Sequence, residues 1–349
     1  AGGDKCAKLN QKLRSVYMVQ VAKEKNHCLD FLKGIACFAV VFIHVKFPGI
    51  AGDAVWRLAQ FAVPVFFLIS GYFAYYNDSN VTKQNVTRRL KRIFWLSIYA
   101  SAIYGVVRLI GKITKHTLLA DFNISQAIEA VVNFLLLNDL DGITGGGHLW
   151  FLWALVYAYI FILVINKYNA WRLAYVIMAL LFVFYVVLQS LGFDNDISWH
   201  YRGNWLASGI PYVTLGHYIA ANKNKFFAVS NRTYGILTIM GAIFSLWRVA
   251  DMKHIQDCSE LGIIIMSLSL FVLTLKNPTK VYFKTLEIIG NRYSLDIYIF
   301  HILVNTVVLK MITKAGLVDN IAIMWFHPLV VAMATLLWAM TITKFKKKC

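Results

Sequence analysis

Apolar stretches long enough to cross a membrane recur along this chain, at about 29–47, 56–76, 93–110, 149–165, 171–191, 204–221, 233–249, 259–276, 294–311 and 322–343. No other feature restricts the fold as strongly. A segment in lipid must satisfy every backbone N–H and C=O internally, so such stretches have to be helices. The pattern predicts an all-α polytopic membrane protein of about ten transmembrane helices. Composition agrees, because 59% hydrophobic and 15% charged residues fall outside the range of soluble domains. The 24 Phe, 18 Tyr and 10 Trp suit aromatic belts at the two interfaces.

Charge placement then assigns direction. With the N-terminus in the cytoplasm, the inner side receives 24 of the 35 basic residues, from the N-terminal segment, residues 83–92, the later inner loops and the lysine-rich tail. About nine fall in the outer loops. The expectation is therefore an even number of spans with both termini cytoplasmic: a basic segment over 1–27, a transmembrane domain over 28–343, and a tail over 344–349. The net charge of +18 is explained by topology and calls for no nucleic acid. The five cysteines, Cys6, Cys28, Cys37, Cys258 and Cys349, show no ligand spacing, so neither a metal site nor a disulfide framework is expected.

The first apolar stretch carries ionisable groups. Lys33 and His44 are eleven residues apart, which on a helix is three turns plus roughly 20°, so they share one face about 16 Å apart along the axis. Asp30 and Cys37 lie near the same line. A polar stripe of this kind is costly in lipid unless it faces protein or water, and it marks a functional interior. The alternative is a snorkelling Lys33 and a packed His44. A neutral imidazole accepts a hydroxyl proton at near-neutral pH, which suits His44 as a base. Lys33, close to the cytoplasmic end, suits an anionic phosphate, and Asp30 at i−3 is its natural ion-pair partner.

Further candidates are few. On the ninth stretch Ser294, Tyr298, His301 and Asn305 fall on one face. In the second, Pro64 precedes Ser70 and Gly71, which permit close helix approach. Arg88, Arg89, Lys91 and Arg92 form a basic patch before the third, suited to phosphates or to anionic lipid headgroups. Residues 111–148 make a long outer loop in which Ser125 is the expected N-cap of an interfacial or re-entrant helix. The loop ends in three glycines before His148 and Trp150, read either as a hinge or as part of a substrate site. Trp150, Trp153, Trp199, His200, Tyr201, Arg202 and Trp205 form an outer aromatic cluster, read as interface belting or as a surface for a sugar or glycolipid acceptor.

Taken in order, LDFLKGIACFAVVFIH, VPVFFLISGYF, RRLKRIFW, HLWFLWALVYAY and IGNRYSLDIYIFH resemble the acyltransferase-3 family of multi-spanning membrane acyltransferases. The resemblance implies a ten-helix fold. It also implies transfer of an acyl group, commonly acetyl from cytoplasmic acetyl-CoA, to a hydroxyl of a cell-envelope glycan or lipid-linked acceptor. It places the essential histidine at His44 and the essential basic residue at Lys33, where the family usually has Arg. Lys keeps the charge without the forked hydrogen bonding.

The resulting expectation is an acyl-CoA-dependent O-acyltransferase of the bacterial inner membrane, with acetyl-CoA as co-substrate and no bound cofactor. Lys33, Arg88, Arg89 and Arg92 would hold the donor, and His44 would act as general base or transient acyl acceptor. Asp30, Ser70, His148, Trp150, Tyr298, His301 and Asn305 are candidates for the substrate pocket. The competing class is a transporter or flippase of an anionic or glycolipid substrate, which would use the same polar groups without covalent chemistry.

Overall fold

The structure is a computed structural model that describes residues 25–115, 123–194, 203–247 and 257–346. Among them there is no β-strand. Among the described residues, seven segments are long and apolar enough to cross a membrane. Three other windows form shorter apolar stretches: Trp171–Val187, the π-turn Trp205–Gly209 with the helix after it, and a sixteen-residue helix, Asn231–Leu246.

Helix α1, His27–His44, is capped by Asn26, whose side chain accepts from Leu29 N. It stops at His44, ahead of Pro48 and of Gly49 at φ +68°. The window at 56–76 proves to be two helices, α2 (Gly49–Ala59) and α3 (Ala62–Tyr72), joined at Gln60 and Phe61. Pro64 accounts for the break, since its ring would meet the carbonyl of residue 60 in a continuous helix. The third span is also longer than its apolar window. α4 runs from Ser79 to Thr114, 36 residues capped by Asp78, so it is about 54 Å long against a hydrocarbon layer of about 30 Å. Its polar first turns extend the apolar span, and residues 111–114, expected in the outer loop, complete it.

α5, Ile124–Leu137, is the short helix of the outer connection. Its N-cap is Asn123, not Ser125: the Asn123 carboxamide accepts from Ser125 N and Gln126 N. Ile124, Ile128, Val131, Val132 and Leu135 are all exposed along it, as befits a helix lying in an interface. Its C-terminal carbonyls are taken up by the bundle, with Tyr157 Oη donating to Leu135 O and Trp205 Nε1 to Leu136 O. Trp205 also stacks on Tyr157, whereas Trp199, His200, Tyr201 and Arg202 lie outside the described residues.

A 3₁₀ turn, Gly147–Leu149, leads into α6, Trp150–Lys167. α7 (Trp171–Asp194), α8 (Ile210–Ala221), α9 (Lys223–Ala228), α10 (Asn231–Leu246) and α11 (Asp257–Lys276) follow. The chain closes with α12 (Lys284–Arg292), α13 (Ser294–Lys314) and α14 (Ile321–Lys346).

The core is built from α1, α3, α6, α8, α11 and α13. By contrast α4, α10 and α14 turn exposed apolar faces outward, including Trp95, Tyr99, Val106, Ile239, Met333 and Trp338. Lipid is the solvent for such faces, so association between helices rests on close packing. At the α3–α8 crossing a Cβ on Gly71 would lie 1.8 Å from Val213 O, and one on Gly216 would lie 2.2 Å from Leu68 O. Only two glycines let these backbones meet.

Outside the spans, α12 is tied to the start of α1. Glu287, 1% exposed, receives hydrogen bonds from Lys25 Nζ (2.8 Å), His27 Nδ1 (2.7 Å) and Lys284 Nζ (3.2 Å). The Lys25 hydrogen bond, with those from His27 and Lys284, holds its carboxyl down to about 2 from an ordinary 4.5, against a smaller opposing effect of burial. A lowered folded-state value stabilises the fold above the unfolded value and ceases to do so as pH falls through the folded one. Acidification from about pH 4.5 towards 2 should therefore lower the melting temperature of the detergent-solubilised protein, and Glu287→Gln should flatten that dependence. An unchanged acid limb in the variant would show that the cluster contributes nothing.

Candidate active site

Three elements remote in sequence bring three histidines together. His44 is the last residue of α1, His148 lies in the turn before α6, and His301 sits two turns into α13. The ring centroids of His44 and His301 are 5.1 Å apart, those of His148 and His301 are 5.1 Å apart, and those of His44 and His148 are 6.1 Å apart. His148 and His301 are buried, at 6% and 0% exposure. His44 is exposed, although its ring abuts theirs.

The surrounding contacts hold the two buried rings. His148 Nε2 lies 3.3 Å from Ile299 O, a carbonyl that also accepts from Tyr104 Oη at 2.8 Å. Tyr298 Oη donates to His148 O. It thus ties α13 to the turn ahead of α6, and this contact places it as a brace for the His148 turn. Trp150 stands on the same turn, its ring 6.0 Å from that of Phe67 and its carbonyl accepting from Asn138 Nδ2. Asn305, one turn beyond His301, buries its Oδ1 without a hydrogen-bond partner.

The glycine-rich end of the outer loop is anchored as well. Arg108 of α4 donates to Asp141 O and Gly142 O, both at 2.7 Å. A Cβ at Gly147 would lie 2.1 Å from Asp141 Oδ1, so only glycine lets this carboxylate reach the turn that carries His148. Asp141 is within electrostatic range of both His44 and His148. The sequence reading left Asp141 and Tyr104 out of the candidate set. The spacing of Asp141 from His148 across a run of glycines was the one signal available.

At the other end of α1, Lys33 Nζ is 2.6 Å from Asp30 Oδ1, and Asn291 Nδ2 of α12 donates to Asp30 Oδ2 at 2.9 Å. The Lys33 side chain keeps 24% of its surface exposed. Continuity of α1 puts Lys33 about 16 Å from His44. No hydrogen bond or ion pair among the described residues joins Lys33 to the basic groups of α4.

Those groups separate into two kinds. Arg88 and Lys91, with Asn80, Lys83, Gln84 and Thr87, line an open groove of about 820 Å³ along α4, and Arg92 is also exposed. Arg89 turns inward, where its guanidinium lies 5.9 Å from the Phe73 ring centroid and within electrostatic range of Tyr159. Ser70 Oγ donates to Phe66 O at 2.8 Å.

Among the described residues no group of His, Cys, Asp and Glu is arranged to hold a metal ion. No curated protein and no solved structure matches the chain. The family model for the acyltransferase domain does match, over residues 26–344. That range takes in the Lys33 end of α1, the basic face of α4 and all three histidines, and by it the chain belongs to the acyltransferase-3 family of membrane acyltransferases.

Proposed function

We propose that the protein is an O-acyltransferase of a bacterial inner membrane, moving an acyl group, acetyl by preference, from cytoplasmic acyl-CoA to a hydroxyl of an envelope glycan or lipid-linked acceptor. The observation that carries this reading is His44. It is the exposed ring of a buried histidine cluster, on a helix whose other end bears a partly exposed cation. In the proposed ten-span topology with both termini inside, Lys33 is the cytoplasmic end of that helix and His44 the outer end.

The donor's phosphates would lie against the Arg88, Lys91 and Arg92 face and against Lys33, whose ammonium has two hydrogens left beyond the one given to Asp30. The thioester would lie at His44. A His44 ring nitrogen accepts the acceptor hydroxyl's proton as the oxygen attacks the thioester carbonyl, and a tetrahedral oxyanion forms. Collapse breaks the C–S bond, and the departing thiolate takes the proton from the imidazolium. The ester leaves towards the outer side and His44 is neutral again. The transporter reading rests on the same polar groups, but nothing in the geometry gives it a use for three apposed imidazoles.

Purified protein in liposomes with labelled acetyl-CoA tests the reading. Label should pass to an added envelope acceptor, or slowly to water. Lys33→Ala should raise the donor KM on the order of tenfold, as expected for one charged hydrogen bond, and Lys33→Arg should leave it near wild type. Movement of an intact substrate across the bilayer with no thioester cleavage would replace this function by the transporter one.

A further inference from the structure

His301 holds a proton inventory that assigns it a role. Its Nδ1 is 2.7 Å from Tyr298 O and 3.2 Å from Ile297 O. Both neighbours are carbonyl oxygens and can only accept, so Nδ1 carries the ring hydrogen. A neutral ring then has no hydrogen at Nε2. That atom is buried and has no hydrogen-bond partner, which leaves a bare lone pair in the protein interior. An unpaired buried acceptor is destabilising, so its retention needs a reason.

The rings beside it are His44 and His148, each 5.1 Å away centroid to centroid. His148 has already committed its Nε2 hydrogen to Ile299 O. His44 is not so committed: among the described residues its ring has no hydrogen-bond partner. A neutral His44 has one N–H and one lone pair, and it works as a base only when the lone pair faces the hydroxyl and the N–H faces elsewhere. Once protonated it has a second N–H, and a positive charge that needs an acceptor close by.

We propose that His301 Nε2 is that acceptor, a positioning residue that takes the His44 N–H, selects the His44 tautomer and stabilises the imidazolium formed as the hydroxyl proton arrives. The backbone of α13 locks the His301 tautomer in advance, through Tyr298 O and Ile297 O, so the pair closes when the exposed His44 ring turns an N–H towards Nε2. Hydrogen bonds of this kind tighten when substrate enters. A neutral acceptor also avoids burying a second charge beside His44. The proposal rests on the acyltransferase function above and adds to it the group that orients the base.

The test uses the full chain in liposomes with two variants. His301→Leu removes the acceptor, and His301→Gln keeps a neutral one. Leucine should lower kcat for acyl transfer about 10²-fold with the donor KM within about twofold of wild type, and glutamine should recover at least about tenfold of that loss. On the wild-type protein, ¹⁵N-histidine spectra should show His301 protonated at Nδ1 and bare at Nε2. Equal rates for the two variants, an effect confined to KM, or a hydrogen found on Nε2 would each overturn the proposal. A fully active leucine variant beside an active wild type removes the role of His301 alone. A wild type that turns over no acyl-CoA removes the acyltransferase function and this role together.

Discussion

Changing His44 to alanine is expected to lower acyl transfer about 10³-fold or more, with the protein folded and its donor affinity near wild type. The magnitude follows from what is lost. General-base catalysis contributes about 10²–10⁴ in rate, and burial keeps both neighbouring rings from replacing it. His148 and His301 are buried and each bonds backbone carbonyls of residues 297–299, while His44 alone has surface open to a substrate. The fold should tolerate the change, because His44 ends α1 and the ordered packing of that helix lies at Leu29, Leu32, Ala36 and Val40. Labelled acetyl-CoA turnover in liposomes, followed beside a melting curve, separates loss of chemistry from loss of structure. A variant that transfers acetyl at the wild-type rate would remove His44 from the reaction.

The largest effect on stability is expected at a site that takes no part in the reaction. Arg57 of α2 is 3% exposed and its Nη2 lies 2.6 Å from both Glu260 Oε1 and Ser259 Oγ of α11, with Nε 3.3 Å from Ser245 O of α10. Three helices thus share one buried guanidinium. Arg57→Met leaves Glu260, 4% exposed, as an uncompensated buried carboxylate, which should cost about 3–5 kcal/mol. Replacing both, Arg57→Met with Glu260→Leu, should restore most of that loss, because well-packed apolar groups avoid the desolvation that the ion pair only partly offsets. Melting curves in detergent for the two single variants and the double variant decide the matter. A double variant as unstable as the singles would mean that the pair contributes far more than its own desolvation.

That ion pair escaped the sequence reading for a physical reason. Arg57 stands in a short apolar run and Glu260 at the head of another, about 200 residues away, and no local periodicity connects them. The same limit applies to the histidines. His44 and His301 could each be placed on a polar face by counting around one helix, because that geometry is set by rise and twist alone. Their meeting with His148 depends on how α1, α6 and α13 cross, and the hydrogen bond from Tyr298 to His148 O is one of the contacts that decides it. Asp141 was legible only as an outer acid until the loop folded back on Gly147.

Helix boundaries show where local rules fell short by a few residues. The long start of α4 was hidden because its first turns are polar, and the break at Gln60 followed from Pro64, whose effect reaches back four residues. The Ser125 cap failed for a simpler reason: Asn123 is an equally good capping residue two positions earlier.

The sequence by itself determined the membrane class, the helical fold, the family and the shared face of Lys33 and His44, since hydropathy, backbone satisfaction in lipid and helical period are all properties of short windows. Only the tertiary structure decided which polar groups stand together. It tied Asp30 to Asn291 of α12, divided Arg89 from Arg88 and Arg92, and left His301 with a bare nitrogen beside His44. Those outcomes depend on distances between helices, and such distances are fixed by packing contacts between residues far apart in the chain.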